Sequence, residues 1–145
     1  MREQVESHGA RLLVIDSLTG YLSAMPDEQH LHLHLHELLT YLDQRGVVTI
    51  MTLAQHGLMS PMPGGDVSYI ADTVVMLRFF EAFGAVKKAV SVVKKRTGAH
   101  EDTIREFSFA GGRVRVGEPL AQFQGVLKGT PVYRGPVGDI LGVRP

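Results

Sequence analysis

Leu12-Leu13-Val14-Ile15-Asp16-Ser17 is the stretch that decides how this 145-residue chain folds. Four apolar residues run without a break and end in a carboxylate and a hydroxyl. A strand with one wet face alternates apolar and polar side chains, so an unbroken run of this length predicts a strand covered on both faces, as at the centre of a parallel sheet. Its polar end then emerges at the edge of that sheet. Residues 47–53 repeat the pattern, opening with Val47, Val48, Thr49 and Ile50, β-branched in all four positions. Between the two runs a helix is expected from Asp27 or Glu28 to Arg45, stopped by Gly46. Strand, helix and strand in succession favour a parallel pair joined by a right-handed crossover.

Inside that helix lies His30-Leu31-His32-Leu33-His34-Leu35-His36, which alternates with period two and by itself suggests a strand. The wider window decides otherwise. Leu31, Leu35, Leu38, Leu39 and Leu42 recur at helical spacing, while Glu37, Asp43, Gln44 and Arg45 supply a polar side and end. Leu33 fits this face poorly. Residues 20–26 read as a connection, and 55–65, with two prolines and a glycine pair, as a loop. A brief helix over 67–71 then leads into a strand-rich half.

Four strands are expected there, over 73–79, 86–94, 104–109 and 113–116, separated by Gly84, Gly98 and Gly111-Gly112. Short links between them favour antiparallel hairpins. Leu120, Phe123 and Val126 are spaced to place a helical turn against the body. The fold class is therefore α/β, with a mixed sheet in which parallel strands come first and antiparallel strands after. One core over 1–135 and a loose, glycine- and proline-rich tail over 136–145 are expected.

Composition narrows the chemistry. Fifteen basic residues balance fifteen acidic ones, so no global field favours nucleic acid or an anionic membrane. There is no cysteine, which excludes disulfides, thiolate metal sites and thiol catalysis. The first eight residues have neither the apolar core of a signal peptide nor that of a membrane span, and the expected location is cytoplasmic.

Taken in order, residues 12–18, 68–77 and 93–107 resemble a KaiC-like ATPase domain of the RecA superfamily, and 116–127 resemble the end of such domains. The likeness runs over about residues 10–135. It implies a partial RecA-like P-loop NTPase core, with ATP and Mg2+ as ligands. Asp16 matches the Walker B aspartate of the family, a carboxylate at a strand end that orients a water on Mg2+ beside the phosphates, with Ser17 in support. The residues alone leave open that Asp16 caps the segment after it. Gln55 matches a nucleotide-state sensor, although a glutamine there also suits a local backbone network. Lys94, Arg96 and His100 match residues that, in KaiC-like hexamers, reach the nucleotide bound by the adjacent subunit. Two positions apart on a strand, Lys94 and Arg96 share a face; a solvated basic strand end is the plainer reading.

Family members also carry Gly-x-x-x-x-Gly-Lys followed by Ser or Thr, whose backbone amides surround phosphate oxygens. No such segment occurs in this sequence, nor do the paired glutamates that activate water in the family stand ahead of Asp16. The expectation is a truncated ATP-binding core that does not hydrolyse ATP efficiently alone. The alternative is an oligomerisation module, pairing with itself or regulating a full-length KaiC-like ATPase. Nucleic-acid binding is a weaker reading, since Glu81, Glu101, Asp102 and Glu106 interrupt the basic residues. The four histidines form two i,i+4 pairs on different sides of a helix without an acidic or cysteine ligand, which suits a surface better than a metal centre.

Overall fold

The computed structural model describes residues 2–24, 30–54 and 68–136. The chain is α/β, with a parallel strand pair first and antiparallel strands after it, as expected. It divides into two compact units, Met1–Ile70 and Ala71–Pro145. The segment expected to form one core, 1–135, contains the first unit and most of the second.

In the first unit, helix α1 (Arg2–His8) precedes strand β1 (Leu12–Ile15), helix α2 (Leu18–Ser23), helix α3 (Leu31–Gln44) and strand β2 (Val48–Met51). Strands β1 and β2 are parallel, with Leu12 opposite Val48 and Ile15 opposite Met51. The His-Leu alternation is helical. Leu35 and Leu42 are completely buried, Leu38 and Leu39 half-buried, and Leu33 exposed, which is the 3.6-residue period winning over the two-residue one. Leu18 and Leu35 form a core with Tyr21, Leu39, Met51, Leu53 and Ile70 around it. Full burial of such a leucine contributes about 1.5–3 kcal/mol.

The end of α3 shows why the helix stops where it does. Gly46 sits at φ +67°, its amide donating to the Asp43 carbonyl at 2.8 Å, while the Val47 amide donates to the Leu42 carbonyl at 2.9 Å. This double closure needs a left-handed residue, and it turns Val47 inward to open β2. Two helices were not anticipated. The first part of the connection expected over 20–26 instead belongs to α2, which runs Leu18–Ser23, and α1 is tied to α3 by the Tyr41 hydroxyl, which donates to Glu6 Oε1 at 2.6 Å. The expected cover on both faces of β1 is found on one. Among the described residues the face bearing Leu12, Val14, Val48 and Ile50 is exposed.

The second unit begins after a 3-10 turn at Ser68–Ile70. Strands β3 (Thr73–Ala82), β4 (Ala85–Lys95), β5 (Arg105–Ala110) and β6 (Arg113–Pro119) form an antiparallel four-stranded sheet in sequence order. Phe83 and Gly84, both at positive φ, close the β3–β4 hairpin. A phenylalanine pays for that geometry in strain, and here its ring packs edge-on against Phe123 and Tyr133, with centroids 5.7 and 5.2 Å away. Phe80, Ala82, Ala89 and Val126 form the core, with Ile104, Leu120 and Phe123 against it. The packing role expected of Leu120, Phe123 and Val126 is therefore met, although Phe123 lies in the short strand β7 (Phe123–Gln124), paired with β8 (Val132–Tyr133), and only Val126 opens a helical turn. No described helix is long and apolar enough to cross a membrane. The expected tail past Pro136 lies outside the described residues.

Candidate functional site

The parallel ladder positions the acidic strand end. The Ile15 carbonyl accepts from the Thr52 amide at 3.0 Å, and the Thr52 carbonyl accepts from the Leu18 amide at 2.8 Å, so the chain beyond β1 is tied to the chain beyond β2. Asp16 lies in this clasp at the C-terminal edge of the pair, exposed, with its Oδ1 accepting from the Thr52 hydroxyl. The Asp16–Ser17 peptide bond is cis. Ser17, half-buried, caps α2: its Oγ accepts from the Gly20 amide at 3.4 Å and its carbonyl from the Tyr21 amide at 3.1 Å. The capping role open to Asp16 thus falls to its neighbour, and the Asp16 carboxylate points to solvent with one oxygen engaged.

Thr52 was missed by sequence reasoning. Its signal was a hydroxyl at the polar end of the second apolar run, one residue beyond Met51, just as Asp16 is one beyond Ile15. In-register parallel pairing makes them neighbours. Gln55 and His56 lie outside the described residues.

The basic residues belong to the second unit, at the end of the β3–β4 ribbon away from the hairpin. Register is decisive here. Val75 pairs with Val92 but Val74 pairs with Lys94, so Val93 is an extra residue, a bulge that moves the inward-facing set of β4 from odd to even positions. Lys94 consequently shares the side of Ala89 and Ser91 and is half-buried. Strand β4 ends at Lys95, one residue short of Arg96. The Arg96 amide still donates to the Asp72 carbonyl at 2.8 Å, and its Nη1 lies 3.0 Å from Asp72 Oδ1. Asp72 is the second residue that sequence reasoning missed; its position just before β3 was the available signal.

His100 is exposed in the 96–104 loop. That loop is held at both ends: Lys95 Nζ donates to the Ala99 carbonyl at 3.1 Å, and Glu101 accepts from Thr103 and Arg105. Hydrogen bonds from the Thr103 hydroxyl and amide, helped by the Arg105 guanidinium, hold the Glu101 carboxyl below the usual carboxylate range. Arg105 also reaches the Gly117 carbonyl at 3.1 Å, anchoring the loop to β6.

No group of three or more His, Asp or Glu able to hold a metal ion is found among the described residues, and His30, His34 and His36 are exposed. Asp16 with Thr52 offers hard oxygen donors in a solvated position. Such a set suits a cation that keeps most of its own waters, as Mg2+ does, and it does not suit a dehydrated one.

The family described as ATPase: KaiC matches residues 1–121. The chain belongs to the KaiC family. Its match to the circadian clock protein KaiC3 of Synechocystis sp. is 24% identical over 135 residues, 92% of this chain and 26% of that protein. The circadian clock oscillator protein KaiC of Acaryochloris marina is 34% identical over 65 residues, 45% of this chain and 12% of that protein. That of Thermosynechococcus vestitus is 31% identical over a stretch of the same length. The chain thus spans about a quarter or less of the length of these KaiC relatives. Membership carries homology to the KaiC-like ATPase domain of the RecA and P-loop NTPase superfamily, to which ATP and Mg2+ belong at the level of the family.

Proposed function

We propose that this chain is a partial ATP-binding core of the KaiC family, with Asp16 as its magnesium-orienting carboxylate and Lys94, Arg96 and His100 as contacts to a nucleotide held by a neighbouring subunit. One observation carries the reading: Asp16 stands exposed at the C-terminal edge of a parallel pair, where ligands of open α/β sheets bind. Mg2+ bound there would neutralise phosphate charge. Thr52 holds the carboxylate by one oxygen and leaves the other to face a metal-bound water, and Ser17 fixes the turn that follows. Gln55, three residues beyond Thr52, is assigned as the sensor of phosphate occupancy.

The basic cluster suits a trans-acting role for an energetic reason. An exposed ion pair such as Arg96–Asp72 is worth about 0–1 kcal/mol, so exchanging Asp72 for a phosphate oxygen costs little. A guanidinium grips such an oxygen with two donors, and Lys94 adds a compact charge. Without a phosphate-cradling loop and a base in its sequence, the chain lacks the main electrostatic stabilisation of hydrolysis and is not an efficient ATPase alone. A second reading, an oligomerisation module acting on a full-length KaiC-like ATPase, follows if the basic cluster works only toward a partner. The homo-oligomeric or hetero-oligomeric assembly of this chain belongs to the same proposal.

The test measures ATP turnover and magnesium-dependent nucleotide affinity of the 145-residue chain, alone and mixed with an intact KaiC-family domain. Alone, turnover at background is expected. In the mixture, Arg96→Ala should lower the change in the partner's rate by about 10-fold or more, the loss of one charge-assisted contact. Turnover by the isolated chain that vanishes in Asp16→Asn would overturn the non-catalytic reading. A partner rate indifferent to both Lys94→Ala and Arg96→Ala would remove the trans contact.

A further inference from the structure

Strand β6 is an outer edge of the four-stranded sheet, and every residue on it from Arg113 to Glu118 is exposed. Its hairpin with β5 fixes which way its backbone faces. Gly111 and Gly112, at φ +58° and +71°, form a two-residue turn, so Ala110 and Arg113 are the closing hydrogen-bonded pair. Such pairs alternate along an antiparallel ladder. Ser108–Arg115 is therefore the next one, and Val114 and Val116 turn their N–H and C=O groups away from β5. Among the described residues, no backbone bond from outside the sheet reaches either valine.

Side chains sort with the same period. Arg113 and Arg115 fall on the side of Glu106 and Ser108, and Val114 and Val116 on the side of Phe107 and Phe109. Neither arginine meets a carboxylate among the described residues, and Glu106, the acid of β5 on their side, is held by Lys87 at 2.9 Å. Glu118 lies past Val116 and ends the pattern. Charge on an edge strand ordinarily keeps other strands away; here it also selects among them. A strand added alongside, about 4.8 Å off, places alternate side chains beside the two arginines and the others beside the two valines. A second β6 would set arginine against arginine. Strand β3, the other edge of the sheet, carries Val74, Met76, Arg78, Phe80 and Ala82 on the core side, with no carboxylate among them. Nowhere in the 145 residues do two acidic residues stand two positions apart, so the sequence holds no complement of its own.

We infer that the free edge of β6 binds an extended segment of a different polypeptide, added antiparallel as a further strand, in which acidic and apolar residues alternate. The apolar residues of that segment stand opposite Val114 and Val116 and exchange backbone N–H and C=O bonds with them. Its carboxylates lie beside Arg113 and Arg115, where each guanidinium offers paired donors. The backbone bonds supply affinity and the arginines supply the choice of partner. Asp16, Lys94, Arg96 and His100 take no part, so this site stands or falls separately from the nucleotide reading.

Fluorescence anisotropy of the purified 145-residue chain tests it, with a short labelled peptide in which glutamates alternate with valines. Saturable binding is expected, with the Val114 and Val116 amides shifted in NMR spectra. The same composition with its glutamates in one block should bind about 10-fold more weakly, and N-methylation of the valine amides should abolish binding. Arg113→Glu with Arg115→Glu should weaken the glutamate peptide about 10-fold or more and admit a lysine–valine peptide in its place. If that variant fails to fold by circular dichroism, the N-methylated peptide decides. A wild-type chain that ignores the alternating peptide, or binds the block and N-methylated peptides as tightly, overturns the inference. So does a single-stranded RNA that displaces the peptide at equal concentration while leaving the two valine amides unshifted, since the arginines would then serve phosphates.

Discussion

The strand-end place of Asp16 was legible in the sequence, whereas Arg96, expected on a strand beside Lys94, lies one residue past β4, and the partners of neither were legible. A threonine at one strand end and an aspartate before another are ordinary residues until pairing sets Thr52 beside Asp16 and Asp72 beside Arg96. Glu101 makes the same point with a measurable consequence. Its carboxyl is held below the usual range first by the Thr103 hydroxyl, then by the Thr103 amide and Arg105. A depressed carboxylate contributes stability that is present above its unfolded pKa and is lost as pH falls through its lower folded value. Order in the 96–104 loop should therefore persist below the ordinary glutamate midpoint and fail at more acid pH. Following the Glu101 side chain by NMR, Thr103→Ala should move its midpoint up toward that of an ordinary glutamate; an unmoved midpoint would show that the hydroxyl does not set it.

Helix α3 and the strands around it were readable because periodicity over fourteen residues outweighs a local alternation over seven. The distinction is testable in one element. Leu35→Ala should destabilise by about 2–5 kcal/mol, since it empties a completely buried site, while Leu33→Ala should change stability by no more than about 0.5 kcal/mol. Denaturant titration of both variants checks this, and equal losses would mean that the helix faces the other way. Helix α2 escaped the reading because its six residues include Gly20 and carry no charge pattern; it exists because Ser17 caps it and Leu18 is buried beneath it. The bulge at Val93 escaped as well. A pattern of β-branched residues and lysines is the same with or without it, and only the partner strand fixes which side Lys94 takes.

Taken entire, the chain carries no excess charge, and among the described residues several of its cations meet carboxylates: Lys87 with Glu106 at 2.9 Å, Arg96 with Asp72, Arg105 with Glu101. Duplex DNA is therefore expected not to bind at physiological salt. Fluorescence anisotropy would refute this by showing submicromolar affinity with a log–log salt slope steeper than about −3, the signature of several phosphate contacts. The α/β class, the order of parallel before antiparallel strands and the acidic strand end all follow from local pattern, because hydrophobic period and glycine breaks are properties of neighbouring residues. Pairing register and the Asp16–Thr52 and Arg96–Asp72 contacts follow from folding alone. Each joins residues far apart along the chain, and no window of neighbours contains the strand that lies opposite.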